Sequence, residues 1–248
     1  MPPTLSPPPA PPRPDWPIPT VSLRIDDLSH PGAKLFLDNV DPIQIMRDSI
    51  ITVLQWLYVT TDKAPRAMQT ILLVLRPMEG VAYTTGSETA KEIHFACQHI
   101  VNCADRCADE IRGVLVHEVV HCYQYNGQDT CPGGLIEGIA DWVRLRSGLV
   151  PPHWRRGGSR WDEGYHVTAY FLQWLTERYG EGTVQEINEL MKDAPYDESI
   201  FKTVTGRKVS KLWKLYIEHL GEGDGTGAAN LDAVDACVDS DSEGVSQD

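Results

Sequence analysis

The stretch His117-Glu118-Val119-Val120-His121 is an H-E-x-x-H sequence inside an apolar segment. Positions i and i+4 of an α-helix lie on one face, so both imidazoles can reach the same metal ion. Two imidazole nitrogens, a third protein ligand and one position for water suit zinc, and Glu118 lies where it can hold that water. The alternative is a helix with polar residues on a solvated face. The apolar neighbours favour a buried metal-binding helix instead.

Two acidic residues, Glu137 and Asp141, follow in a second segment of helical pattern. They are four residues apart and therefore share a helix face. Glycine and proline between residues 127 and 134 supply the turn that reverses the chain. One acid can bind the metal while the other accepts a hydrogen bond from a ligating histidine. The alternative is an ordinary surface pair, which the apolar residues around both acids disfavour.

Between the two ends of the chain the pattern changes once, from strands to helices. Alternating or continuous apolar residues predict strands at 21–25, 70–75, 81–85 and 92–97. One early helix is predicted at 42–58, after Asp41 as N-cap and Pro42 at the first helical position. Six later helices are predicted at 106–126, 134–147, 163–179, 182–192, 197–205 and 209–220. Strands followed by helices predict an α+β fold.

The two ends differ in composition from the body. Residues 1–20 contain ten of the eighteen prolines, and residues 221–248 contain eight acidic residues and no Lys or Arg. Neither composition can bury enough apolar surface to offset the entropy of ordering. The sequence therefore predicts a proline-rich disordered leader at 1–20, one catalytic domain at 21–220 and an acidic disordered tail at 221–248.

Charge and hydropathy exclude several classes of function. The net charge is −13, which argues against binding to nucleic acid or to an anionic membrane surface. No apolar run approaches the ~18–20 residues of a membrane span, and the first residues lack the pattern of a secretory signal. We expect a cytoplasmic protein with free thiols. The alternative is a secreted protein with a Cys122–Cys131 disulfide.

Both helical segments resemble the plant basic secretory protein family, zincin-like metallopeptidase-type proteins of plants, fungi and bacteria. The similar segments are His117–Gly127, Pro132–Gly148, Trp161–Tyr165 with Thr168-Ala169, and Leu212-Trp213. The resemblance covers about 21–219 and implies a zincin-like fold, in which a twisted mixed sheet lies over the H-E-x-x-H helix and the C-terminal half is helical. By analogy with the gluzincin peptidases it implies Glu137 as the third zinc ligand. Asp141 is then the acid that supports a ligating histidine.

The residues and the resemblance together predict a zinc-dependent metallopeptidase. Glu118 would accept a proton from the attacking water and pass it to the leaving amine. The developing oxyanion needs a second stabiliser, for which Tyr165 is our candidate and His166 a weaker choice. A buried aromatic with a satisfied hydroxyl is the alternative for Tyr165. Two alternatives stay open for the protein: a zinc hydrolase of a non-peptide amide or ester, and a zincin-like binding or defence protein with little turnover.

The expected partner is a peptide or another amide-containing substrate. The strand Gly80–Thr85 can pair with an extended peptide, unless both of its edges are already paired within the sheet. We expect Arg144 and Arg146 to be solvated, with a contact to a substrate carboxylate as the alternative for each. Thiolates from Cys103, Cys107 or Cys122 would instead make a closed, structural zinc site. The oligomeric state is left open.

Overall fold

The computed structural model describes residues 15–223. Residues 1–14 and 224–248, which make up most of the predicted leader and tail, lie outside the described residues. Trp16 falls within the predicted leader, yet it is buried in the hydrophobic core at 8% exposure. The first strand begins at Thr20. The packed body therefore starts before residue 21, because a single large aromatic side chain among prolines is enough to join the core.

Four strands form one mixed sheet in the order β1-β2-β4-β3. They are β1 Thr20–Ile25, β2 Thr70–Arg76, β3 Ala82–Gly86 and β4 Ala90–Ala96. β1, β2 and β4 run parallel, and β3 runs antiparallel to β4. Alternate residues of the central strands are fully buried, namely Ile71, Leu73, Leu75, Ile93 and Phe95. Within the described residues β3 pairs on one side only, so it is an edge strand.

Nine α-helices surround this sheet in the part of the chain that the structure describes. They are α1 Pro31–Asn39, α2 Pro42–Tyr58, α3 Cys97–Asn102, α4 Cys107–Tyr123, α5 Gly133–Arg146, α6 Tyr165–Tyr179, α7 Thr183–Leu190, α8 Ser199–Thr205 and α9 Val209–Gly223. The mixed sheet with a helical second half confirms the predicted α+β class. None of the helices in residues 15–223 is both long and apolar enough to cross a membrane.

The prediction missed α1 and α3. The side chain of His30 caps α1 by accepting from the backbone N–H of Gly32, a signal much weaker than that of Asp41 before α2. α3 follows β4 without a connecting turn, and its apolar, β-branched residues also suit a strand. The strand predicted to reach Cys97 therefore ends one residue earlier, and a helix begins there.

Helix α4 lies at the centre of the molecule. It packs against α1, α2, α5 and β3, and Leu115, Val119 and Val120 on it are fully buried. Its first turn carries Asp109 and Glu110, where negative charge suits the positive end of the helix dipole. A helix packed on nearly every side holds its polar residues in fixed positions, and His117 and His121 lie in its last two turns.

Two glycines of α5 let α6 and the loop before it approach closely. A Cβ atom at Gly134 would lie 1.9 Å from the carbonyl oxygen of Asp162, and one at Gly138 would lie 2.2 Å from Cγ2 of Thr168. Only glycine fits at either position.

The cysteines of the described region are all free: Cys97, Cys103, Cys107, Cys122 and Cys131. The alternative Cys122–Cys131 disulfide is therefore not formed.

Candidate active site

Helices α4 and α5 bring together the three predicted metal ligands. His117 Nε2 lies 3.2 Å from His121 Nε2 and 3.1 Å from Glu137 Oε2. His121 Nε2 lies 3.7 Å from the same carboxylate oxygen. The two histidines are one turn apart on α4, and Glu137 reaches them from the first half of α5. Two imidazole nitrogens and a carboxylate oxygen thus converge on one point, as a divalent cation requires.

Asp141 holds His117 in place from the side opposite the other two ligands. His117 Nδ1 donates to Asp141 Oδ1 over 2.6 Å, and Asp141 is buried. Because Nδ1 carries this proton, Nε2 is the nitrogen that faces His121 and Glu137. A hydrogen bond of this kind fixes both the ring orientation and the tautomer of a metal-binding histidine.

The pKa values of His117 and His121 indicate how a cation would bind between the three converging atoms. Burial alone would lower the pKa of His117, but its hydrogen bonds to Asp141 and Glu137 outweigh burial and raise that pKa to about 10. Burial and the charge on His117 lower the pKa of His121 to about 4. The three converging atoms therefore favour a positive charge between them. A bound cation would supply that charge in place of a proton, so metal binding and proton release are coupled.

Gln124 contacts Nδ1 of His121, the ring position at which Asp141 contacts His117. Its Nε2 lies 3.0 Å from His121 Nδ1, while its own Oε1 is buried without a partner among the described residues. If the amide nitrogen and oxygen of Gln124 exchanged places, its Oε1 would accept from the Nδ1–H of His121. The Nε2 lone pair of His121 would then be free for a metal. The sequence analysis assigned no role to Gln124, although its position three residues after His121 places it next to that ring.

Glu118 lies beside the three converging atoms and is buried. Thr84 Oγ1 on β3 donates to Glu118 Oε2 over 2.7 Å. Burial raises the pKa of Glu118, the charges of Glu137 and Asp141 raise it further, and the charge on His117 and the Thr84 hydrogen bond only partly offset them. A raised pKa makes a carboxylate a better proton acceptor. Thr84 was not singled out from the sequence, because its contact depends on how the sheet packs on α4.

Tyr165 stands at the entrance of the site. Its ring lies parallel to that of His117, with 6.1 Å between the centroids, and the residue is 56% exposed. The alternative of a buried aromatic is therefore wrong. Gly164 and Tyr165 have φ of 94° and 46°, and Thr168 stabilises this turn by accepting from Gly164 N over 2.9 Å. The charge on Glu137 and partial burial raise the pKa of Tyr165, so its hydroxyl stays a donor.

Residues 18–216 match a family model described as BSP, peptidase of plants and bacteria. The chain belongs to the BSP family. The match covers all four strands, both helices that carry the converging side chains, and Tyr165. The resemblance predicted from the sequence is thus confirmed. No curated protein and no solved structure gives a significant match to the chain.

In this member of the BSP family the converging side chains open into a cleft of about 790 Å³. Residues 81–84 of the β3 edge line one side of the cleft, so the alternative of a strand paired on both edges is wrong within the described residues. Arg144 and His166 line the cleft beyond the predicted metal ligands, and the His166 ring stacks on Trp154. His166 therefore lies at the wall of the cleft against Trp154, whereas Tyr165 lies against His117.

The cysteines do not join the group formed by His117, His121 and Glu137. Cys103 lies instead in a separate group with His99 and Glu110. Cys122 is buried, and burial raises the pKa of its thiol. The thiols are therefore poorly placed to close the histidine site, and this BSP family protein keeps that site open to the cleft.

Proposed function

We propose that the protein is a zinc-dependent metallopeptidase. The observation that carries the proposal is the convergence of His117, His121 and Glu137 beside a buried Glu118, at the wall of an open cleft. Zinc suits a set of two imidazoles and one carboxylate that leaves room for water and substrate. The membership in a family of peptidases supports peptides as substrates. We also infer that the mixed sheet packed over α4 is the zincin-like arrangement implied by the sequence resemblance.

The chemistry divides between the metal and the side chains of the chain. Bound zinc would acidify water toward neutral pH and polarise a carbonyl group. Thr84 donates to Glu118 Oε2, which leaves Oε1 free to accept the proton of the attacking water. Glu118 would then deliver that proton to the leaving nitrogen. Asp141 keeps the His117 ring fixed throughout, since its carboxylate holds the Nδ1 proton.

Tyr165 is the proposed second stabiliser of the oxyanion. Its ring already lies against His117, and its hydroxyl remains protonated at neutral pH. A neutral donor aimed at the developing charge stabilises the transition state more than the substrate. The unusual backbone at Gly164 and Tyr165 is consistent with a residue held in place for function.

The free edge of β3 is the proposed seat for the substrate backbone. Residues 81–84 line the cleft, and within the described residues β3 pairs only with β4, so its other edge can accept a peptide. An extended segment added to this edge would lie across the metal ligands, since Thr84 on the same strand contacts Glu118.

The test is Glu118→Gln, with zinc and peptide turnover measured on the same sample. The amide has nearly the size of the carboxylate but cannot take a proton, so turnover should fall by about 10³–10⁴-fold while zinc stays bound. Glu181→Gln, on an exposed acid outside the cleft, is the matched control. Wild-type turnover in zinc-loaded Glu118→Gln would refute the mechanism. Turnover of esters or small amides without peptides would favour the non-peptide hydrolase. No turnover in wild type would favour a binding protein.

Tyr165→Phe tests the oxyanion role separately. Loss of the hydroxyl should lower kcat by about 10–100-fold with little change in KM, because the contact forms only in the transition state. An unchanged kcat would remove Tyr165 from the mechanism.

A further inference from the structure

The far end of the cleft contains a buried guanidinium. Glu137, Asp141 and Arg144 follow at i, i+4 and i+7 on α5, so they lie along one face of the helix. Arg144 lines the same cleft as the metal ligands, and its side chain is 8% exposed. The solvated role considered for Arg144 is therefore wrong. We call this region, with Arg144, Glu110, His99 and Trp154, the arginine end.

The guanidinium of Arg144 is held on three sides. Its Nε donates to the carbonyl oxygen of Leu149 over 3.0 Å, and its Nη2 donates to Glu110 Oε2 over 3.2 Å. The Trp154 ring lies 5.5 Å from Cζ, and Gly113 faces the group with no side chain. Nη1 has no hydrogen-bond partner among residues 15–223. This side of the guanidinium is therefore free to donate to a ligand.

The charges at the arginine end do not cancel. Glu110 accepts from both Arg144 and Arg106, so two guanidiniums share one carboxylate. Burial would raise the pKa of Glu110, but the hydrogen bond with His99 and the charges of Arg144 and Arg106 lower it to about 2. Glu110 is thus ionised at neutral pH. Together with Arg106, which contacts Glu110 without lining the cleft, the three groups carry one net positive charge.

This surplus argues against a second metal ion. His99, Cys103 and Glu110 have possible ligand atoms within 4.8 Å of one another, which would suit a cation by distance alone. Two guanidiniums already contact the Glu110 carboxylate and would repel a cation. Burial and the charge on Glu110 raise the pKa of the Cys103 thiol, which keeps it protonated. The region is suited to an anion instead.

We propose that the arginine end binds a carboxylate of the peptide substrate through Arg144, an inference that rests on the proposed peptidase function. A planar guanidinium with a free N–H group matches a carboxylate in shape and charge. The seven residues from Glu137 to Arg144 correspond to about 10 Å along the helix axis. An extended peptide covers that distance in about three residues. The carboxylate is therefore either a C-terminus close to the scissile bond or an Asp or Glu side chain at a nearby position.

The experiment measures binding rather than turnover. Alanine hexapeptides with a free C-terminal carboxylate or a C-terminal amide, and amidated hexapeptides with a single Glu or Gln, are titrated into zinc-loaded Glu118→Gln protein. One carboxylate form should bind at least about tenfold more tightly than its neutral partner, the typical effect of losing a charged hydrogen bond. The C-terminal pair and the Glu/Gln pair distinguish the two sources of the carboxylate. Equal Kd values for both pairs would overturn the proposal.

Variants at position 144 assign the preference to Arg144. Arg144→Met combined with Glu110→Gln removes both buried charges together and should abolish the preference. Arg146→Met is the matched control: Arg146 lies on the same helix but contacts Glu181 and the Trp56 ring, outside the cleft. A preference that survives in the double variant, or disappears in Arg146→Met alone, would overturn the assignment. If the double variant does not fold, the Kd values of the peptide pairs for protein that keeps Arg144 and Glu110 still decide whether a carboxylate is recognised.

The two proposals fail in different ways. Peptide cleavage by the wild-type enzyme without any carboxylate preference would overturn this inference and leave the peptidase function intact. A carboxylate preference in binding with no cleavage of any peptide would overturn the peptidase function and leave the anion site intact.

Discussion

The two ends of the cleft are built by the same pair of helices and have opposite chemistry. At the end with the predicted metal ligands, which we call the metal end, α4 supplies His117, Glu118 and His121, and α5 supplies Glu137 and Asp141. Those groups present lone pairs and negative charge. At the arginine end the same helices supply Glu110 and Arg144, whose charges cancel, and Arg106 just before α4 brings the balance to one positive charge.

The opposite character arises from a step of seven residues on each helix. Glu110 precedes His117 by seven positions, and Arg144 follows Glu137 by seven. Two turns along paired helices bring the same faces together again with different residues. A polar cleft of this kind would orient a substrate, with its scissile carbonyl at one end and its negative group at the other.

The largest effect should come from His117→Ala, which removes a predicted metal ligand and leaves the arginine end unchanged. Loss of one of three ligands should remove tightly held zinc and the activity that depends on it. Elemental analysis after dialysis checks the metal, and His166→Ala is the control, since His166 lines the cleft without contacting the metal ligands. Undiminished tight zinc in His117→Ala would contradict the ligand assignment.

A smaller effect should follow from Asp141→Asn. The amide keeps the shape but exchanges a charged acceptor for a neutral one, so zinc affinity or activity should fall by about 10–100-fold with the fold intact. Zinc competition titrations and circular dichroism measure the two quantities. A variant equal to wild type in zinc affinity and turnover would show that the 2.6 Å contact to His117 has no such role.

The smallest effect should come from Glu110→Gln and should depend on pH. The pKa of Glu110 is lowered in the folded protein to about 2, so its ionised form stabilises the fold above the unfolded pKa of ~4.3. That stability is lost as the pH falls toward 2. The free-energy difference between wild type and variant should therefore be largest near neutral pH and shrink from pH ~4.3 toward pH 2. Urea unfolding of zinc-free protein at several pH values measures it. A difference that stays constant with pH would contradict the charge arrangement.

The metal end could be predicted from the sequence and the arginine end could not. The spacing of His117 and His121 in an apolar segment predicted a metal-binding helix, and the family resemblance added Glu137 as a ligand. Arg144 and Arg146 looked alike in sequence. Their difference depends on helix phase, on Glu110 of another helix and on the space left at Gly113. Thr84 was missed for the same reason, since its contact with Glu118 joins residues 34 positions apart.

The close approach of α5 and α6 has a mechanical consequence. Gly134 packs against the backbone of Asp162, and Gly138 packs against the Thr168 side chain, so Glu137 on α5 and Tyr165 at the start of α6 are held by one closely packed unit. The segment 147–164 that joins the two helices can therefore change in length or sequence without altering the distance between these two side chains, provided that the turn at residues 161–164 is kept. Thr84 and the β3 edge belong to a different support, the sheet. To accept substrates of different size, the sheet would then shift relative to the helices. The distance between Tyr165 and Glu137 would stay the same.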